Sequence, residues 1–332
     1  MKMKIKVSYT SFIDLLMRSL AFSNKKDAVS SLSKWLGVGE SSIYNKLNGR
    51  SHFTIEEIFV ICQNSNISLD SLIHGTSKFN AFIPFFADGL KYKPRSYQDY
   101  INNIIGYYIK VKQLTNVHGY FLANELPLFH FLPFPHLMYL KMYIWNETNW
   151  KIPGIGNQYQ SNEFVRDPIT LHGLKILMDQ FYSFPNTEIW NPNMLDNTIS
   201  QFLYLKDLQI IRDHEDLKNI KEQFNRLIDN LEEITNSGQK PENSRGHKKT
   251  CDIFITELNT GSEVILVKSD DVNILFQQVD VPNYMSTTDE RMITNQFLYF
   301  NNIKKISTHI TLAGGKDKHL FFARMREKLE SI

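Results

Sequence analysis

The chain has 332 residues, 42% of them hydrophobic and 13% aromatic, which suits two or three packed domains and excludes a wholly disordered chain. Its 37 basic and 35 acidic residues leave a net charge of +2, too little for wholesale nucleic-acid affinity, so attraction to DNA has to come from a local patch. The two cysteines, Cys62 and Cys251, lie far apart and exclude a disulfide framework or a cysteine-built zinc finger. No apolar stretch reaches membrane-spanning length, and the start MKMKIKVSYT lacks the apolar core of a signal peptide. A cytoplasmic protein is expected.

In chain order, Phe12, Leu15, Leu16, Ser19 and Leu20 fall on one side of a helix predicted over 11–22. Val29, Leu32, Trp35 and Leu36 make one face of a second short helix. Gly37 breaks that pattern where a tight bend needs a permissive backbone. A third short pattern runs from Ile43 to Leu47. Two short helices joined by a turn of a few residues form the helix-turn-helix layout, whose second helix enters the DNA major groove. Thr54, with Glu57 three residues on, is a capping box for a further helix with Ile55, Ile58, Phe59 and Ile61 on its apolar face. Basic residues outnumber acidic ones in this segment, through Lys2, Lys4, Lys6, Arg18, Lys25, Lys26, Lys34, Lys46 and Arg50. Such a local excess is what phosphate neutralisation needs.

Leu32-Ser33, Leu36-Gly37-Val38 and Ile43 together resemble the Cro/repressor (XRE) class of helix-turn-helix domains. In that class a small residue sits where Ser33 falls, a glycine at the turn and an aliphatic residue inside the recognition helix. The resemblance implies an all-α DNA-binding head over 1–76, closed by a short helix at 68–73. Two positions depart from it. Lys46 stands where an aliphatic residue is often buried, which leaves that packing to Leu47. Glu40 opens the recognition helix where glutamine is common. The resemblance also implies a site for double-stranded DNA. Ser41, Ser42, Tyr44 and Asn45 lie on the recognition helix with Asn48 at its far end, and Lys25, Lys26, Lys46 and Arg50 lie at the helix ends where the phosphate backbone would pass. The alternative is a non-enzymatic interaction module whose helical head binds a protein. The face formed by 41–48 separates the two: polar beside Lys and Arg for DNA, buried for a protein partner.

Residues 77–95, with Pro84, Pro94 and four phenylalanines, read as a connector. The remainder, 96–332, reads as a regulatory or dimerising body. Ser96 can cap a helix carrying Tyr100, Ile101, Ile104, Tyr107, Tyr108 and Val111. Residues 119–150 are the most apolar stretch, cut by prolines, with Pro135 opening a helix to Trp145. Helices are predicted over 171–184, 194–205 and 208–234, the part 213–233 being amphipathic. The polar stretch 236–250 predicts a flexible loop. From there the period changes to two. Strands are predicted over 252–258, 263–268, 272–279, 292–300 and 303–312, with a hairpin turn at 259–262, and Asp317 starts a last helix. The fold class expected is α+β: an all-α head, a mostly helical middle and a C-terminal antiparallel sheet flanked by helices, an order similar to GAF- or PAS-like sensor modules.

Motifs of chemistry are sparse. His118, His130, His136 and His172 match no metal-ligand spacing. Gly314-Gly315-Lys316 lacks the spacing and the Ser or Thr of a phosphate loop. There is no GxSxG and no paired carboxylate motif. No enzyme, cofactor or metal is predicted. The belt Phe121, Phe129, Phe131, Phe134, Tyr139, Tyr143, Trp145 and Trp150 either lines a pocket for a small apolar ligand or forms core. One small head makes few base contacts, so a homodimer is expected, with 213–233 and 119–150 as candidate surfaces unless both are buried within one chain.

Overall fold

The computed structural model describes residues 9–20, 24–65, 69, 85, 92–155, 158–258, 260–261, 263–312 and 315–330. The chain divides into two compact units, Met1–Pro84 and Phe85–Ile332. The expected closing helix at 68–73, apart from Leu69, and most of the connector, apart from residues 85 and 92–95, lie outside the described residues.

The first unit contains α1 (Tyr9–Ser19), α2 (Lys25–Leu36), α3 (Glu40–Leu47) and α4 (Ile55–Ser65). Ile13, Leu16, Val29, Leu32, Ile43, Leu47, Phe53 and Ile61 form its core. The boundaries of α2 follow from its caps. The Asn24 side chain accepts the Asp27 N–H, and Gly37 stops the helix with a left-handed φ of 65°, its N–H bonded to the Ser33 carbonyl. The Ser33 hydroxyl donates to the Val38 carbonyl at 2.5 Å and so ties the turn down from the other side. At α4 the capping box is reciprocal: the Glu57 N–H donates to Thr54 Oγ1 at 3.2 Å and the Thr54 N–H to Glu57 Oε2 at 2.8 Å.

The second unit is built on a seven-stranded sheet of β1 (His118–Ala123), β2 (Asn186–Trp190), β3 (Cys251–Ile255), β4 (Val264–Lys268), β5 (Ile274–Asp280), β6 (Asn283–Thr287) and β7 (Thr308–His309), in the order β6-β5-β4-β1-β2-β3-β7. β1, β2 and β3 are parallel neighbours, and the other pairings are antiparallel. Parallel neighbours need long crossovers. Between β1 and β2 run α6 (Pro135–Trp145), α7 (Ser161–Arg166) and α8 (Pro168–Phe181); between β2 and β3 run α9 (Asp196–Asp207) and α10 (His214–Ser237). The unit also holds α5 (Tyr97–Lys112), α11 (Glu290–Ile306) and α12 (Gly315–Glu330).

Helices cover both faces. On one face Trp190, Cys251, Ile253 and Ile255 join the main core with residues of α5, α6, α8, α9, α10 and α12. On the other, Leu122, Ile189, Phe254, Val264, Leu266 and Leu275 pack against Ile293, Phe300 and Ile303 of α11. The fold is therefore α+β, with a mixed sheet and flanking helices.

Several sequence expectations are corrected. The sheet is not purely antiparallel, which removes the basis of the GAF- or PAS-like comparison. β3 and β4 do not form a hairpin, because β1 and β2 lie between them. The predicted strands at 292–300 and 303–312 are mostly α11, which starts where the Asp289 side chain accepts the N–H groups of Arg291 and Met292. The loop at 236–250 is anchored by Lys240, whose ammonium is buried and donates to the carbonyls of Phe181 (2.7 Å) and Phe184 (2.8 Å). Both proposed dimer surfaces are used inside the chain: α10 buries Ile220, Phe224, Leu227, Ile228, Leu231 and Ile234, and the aromatic stretch forms core.

At the centre of the sheet lies a buried polar network. Asn186, Glu188 and Trp190 alternate onto one face of β2. Glu188 Oε2 is 2.9 Å from His130 Nε2 and accepts from Trp190 Nε1 at 2.8 Å. Its Oε1 accepts from Asn186 Nδ2 at 3.2 Å and from the Cys251 thiol at 3.7 Å. Burial alone raises the Glu188 carboxyl, but His130, the indole N–H and the Lys240 ammonium overcome it and hold it down at about 2. Burial pushes the Lys240 amine down to about 7.

Candidate nucleic-acid interface and an apolar cavity

On α3, Ile43, Lys46 and Leu47 are buried, whereas Ser41, Tyr44 and Asn45 are exposed and Ser42 is half-buried. Asn48, Gly49 and Arg50 continue the exposed face past the helix end. Residues 41, 44, 45 and 48 share one side because three- and four-residue steps return to the same face of a helix. That side is polar. Lys25 and Lys26, at the start of α2, are exposed, and Lys25 Nζ donates to Asn48 Oδ1 at 2.8 Å. The fold thus brings a lysine from one helix to the end of the other. Arg50 is held in place by its N–H, which donates to the Asn45 carbonyl at 2.9 Å.

Lys46 does not belong with these residues. Its ammonium donates to the His52 carbonyl at 2.9 Å and pairs with Glu57 at 2.8 Å, side chains that are only 11% and 20% exposed. Lys46 is a core residue whose charge is spent on the α4 cap, and it is removed from the predicted phosphate contacts. Lys46→Met, which keeps the stem and deletes the charge, should cost the head about 1–3 kcal/mol by leaving Glu57 and the His52 carbonyl without their donor. Faster hydrogen exchange of α3 and α4 amides in the full-length protein would show this, with no change in any salt dependence of DNA binding.

The second unit holds a cavity of about 370 Å³ on the sheet face that also carries Phe121. α5 supplies Tyr100, Ile104 and Tyr108, the turn after β1 supplies Phe129, and β4 and β5 supply Ile265, Val267 and Phe276. Of the aromatic belt read from the sequence, Phe121 and Phe129 line this cavity. Phe131, Phe134, Tyr139, Tyr143, Trp145 and Trp150 are core. Glu263 and Tyr284 are polar lining residues that lie outside that belt. The Tyr284 hydroxyl donates to Glu263 Oε1 at 2.7 Å. Burial raises the Glu263 carboxyl to about 7, and burial also pushes the Tyr284 phenol well above its ordinary value. The available signal was the period of two, which puts Glu263 on the same side as Ile265 and Val267.

The four histidines lie apart. His118 contacts Thr187 Oγ1 at 3.0 Å, and burial pushes its imidazole down to about 4. His130 is on Glu188, His136 is on Ser161 and Asp216, and His172 is exposed on α8. Among the described residues no group of three His, Cys, Asp or Glu is placed to share a metal ion. Among them, too, no helix is long and apolar enough to cross a membrane. No protein-family model, curated protein or solved structure matches this chain.

Proposed function

We propose that the protein is a sequence-specific regulator of transcription that binds double-stranded DNA through α3, in the manner of the Cro/repressor-like heads its first quarter resembles. The observation that carries this reading is the polar, exposed face Ser41-Tyr44-Asn45-Asn48, bordered by Lys25, Lys26 and Arg50. The face is exposed and polar beside Lys and Arg, not buried, and it offers amide and hydroxyl groups suited to base edges. The charges sit where they can neutralise phosphates without making the whole chain basic. The body serves to sense a signal or to pair two chains, and the protein works in the cytoplasm as a homodimer on two half-sites. Sedimentation of the full-length chain at micromolar concentration should give the mass of two copies.

The test is a binding titration against the promoter DNA upstream of its own gene at several salt concentrations. Asn45→Ala should relax preference at one base pair by about 1–3 kcal/mol, because asparagine pairs bidentately with adenine. Neutralising Lys25, Lys26 or Arg50 should weaken binding to every sequence and lower the salt slope by about 1 each. Unchanged specificity in the first variant and unchanged slopes in the others would reject α3 as the reader.

A further inference from the structure

We propose that the cavity beneath α5 binds a monoamine carried on one aromatic ring, with the ammonium seated on the Glu263 carboxylate. This inference uses the second unit alone and stands whether or not the head binds DNA. The volume of about 370 Å³ falls in the range of small-molecule sites. Its walls are largely apolar and aromatic, and Glu263 is the one Asp, Glu, Lys or Arg among the described residues that line it. A polar group fixed in an apolar pocket is what orients a ligand.

The sign of the charge follows from the neighbours. Glu263 also lines a small annex of about 50 Å³ together with Glu125 and Lys141. Lys141 and Glu125 already pair at 3.0 Å and cancel. An ionised Glu263 is therefore the uncompensated charge of the group, and an anion would meet two carboxylates. Burial holds Glu263 in its protonated form up to about 7, with Glu125 and Glu188 acting in the same direction and Tyr284 and Lys141 against it. A bound ammonium reverses that balance by supplying the missing positive charge. The Tyr100, Tyr108, Phe129 and Phe276 rings suit a ligand ring and attract cations over their faces.

Calorimetric titration of the full-length protein near neutral pH, without DNA, tests this. The probes are 2-phenylethylamine and tryptamine, with 2-phenylethanol as the neutral match and phenylacetate as the anionic one. The amines should bind at one site, the alcohol at least about tenfold more weakly, and phenylacetate more weakly still. Glu263→Gln should bring the amines down to the level of the alcohol while leaving the alcohol unchanged. Ile104→Trp, which fills the cavity from α5, should weaken both. The proposal is overturned if neither amine binds, if amine and alcohol bind alike, or if Glu263→Gln leaves amine affinity as it was. Because no DNA is present, none of these results depends on the reading of the head.

Discussion

Glu188→Ala is expected to destabilise the second unit by about 3–5 kcal/mol, the cost of removing a buried carboxylate on which several buried donors converge. Glu188 is fully buried, and the donors around it are buried with it. Deleting the carboxylate leaves His130, the Trp190 indole and the Asn186 amide without their acceptor, and each stranded group adds its own desolvation penalty. Glu188→Gln keeps the shape but turns an acceptor into a donor that faces donors, so it too should be destabilising. Because β2 is an interior strand between β1 and β3, the loss should appear as cooperative unfolding of the whole sheet. Denaturant unfolding followed by tryptophan emission would measure it, and a loss below about 1 kcal/mol would show that the network is not the electrostatic centre described here. The carboxyl also predicts acid sensitivity. Its folded value of about 2 lies below its ordinary 4.5, so its contribution is present above 4.5 and is lost as pH falls towards 2.

The opposite sign is expected at Glu263. Its folded value of about 7 lies above its ordinary 4.5. Between those values the unfolded chain has released the proton and the folded chain keeps it, so stability falls as pH rises from 4.5 through 7. The displacement corresponds to about 3 kcal/mol across that window. His118 works against it, since an imidazole pushed down from 6.5 to about 4 gains stability as pH rises through the same region. The quantity to measure is therefore the difference between the native protein and Glu263→Gln, in which the His118 contribution cancels. The variant should gain on the native protein steadily from pH 4.5 to 7 and keep that gain above it. A difference that does not change with pH would mean that the Glu263 carboxyl is solvated.

Where the sequence was readable, one interaction type dominated. The head could be read because its signals are local: Gly37 at a left-handed turn, the Thr54–Glu57 box and apolar residues at helical steps each act within a few residues. The same holds for Ser96, whose side chain accepts the Asp99 N–H, and for Pro135 at the start of α6. The sheet was misread because its pairing is not local. β1 is buried on both faces and merges into the apolar run that follows it, as interior parallel strands do. β2 hides behind Asn186 and Glu188, polar residues that are buried only because His130 and Trp190 come to meet them. Ile293, Phe297, Phe300 and Ile303 carry a helical period that the surrounding β-branched and aromatic residues obscure. Lys46 shows the same limit at the candidate DNA interface. Nothing in the chain's order says that Glu57 sits beside it, and that contact decides between a phosphate ligand and a core residue.

The central claim, that α3 reads base sequence, is tested most directly by selection from a pool of random-sequence duplexes with the full-length protein at physiological salt. The account predicts enrichment of one motif, repeated as two half-sites about one helical turn apart, and loss of preference at one position in each half-site when Asn45→Ala is selected in parallel. A pool that stays random, or a motif that Asn45→Ala leaves intact, would contradict it.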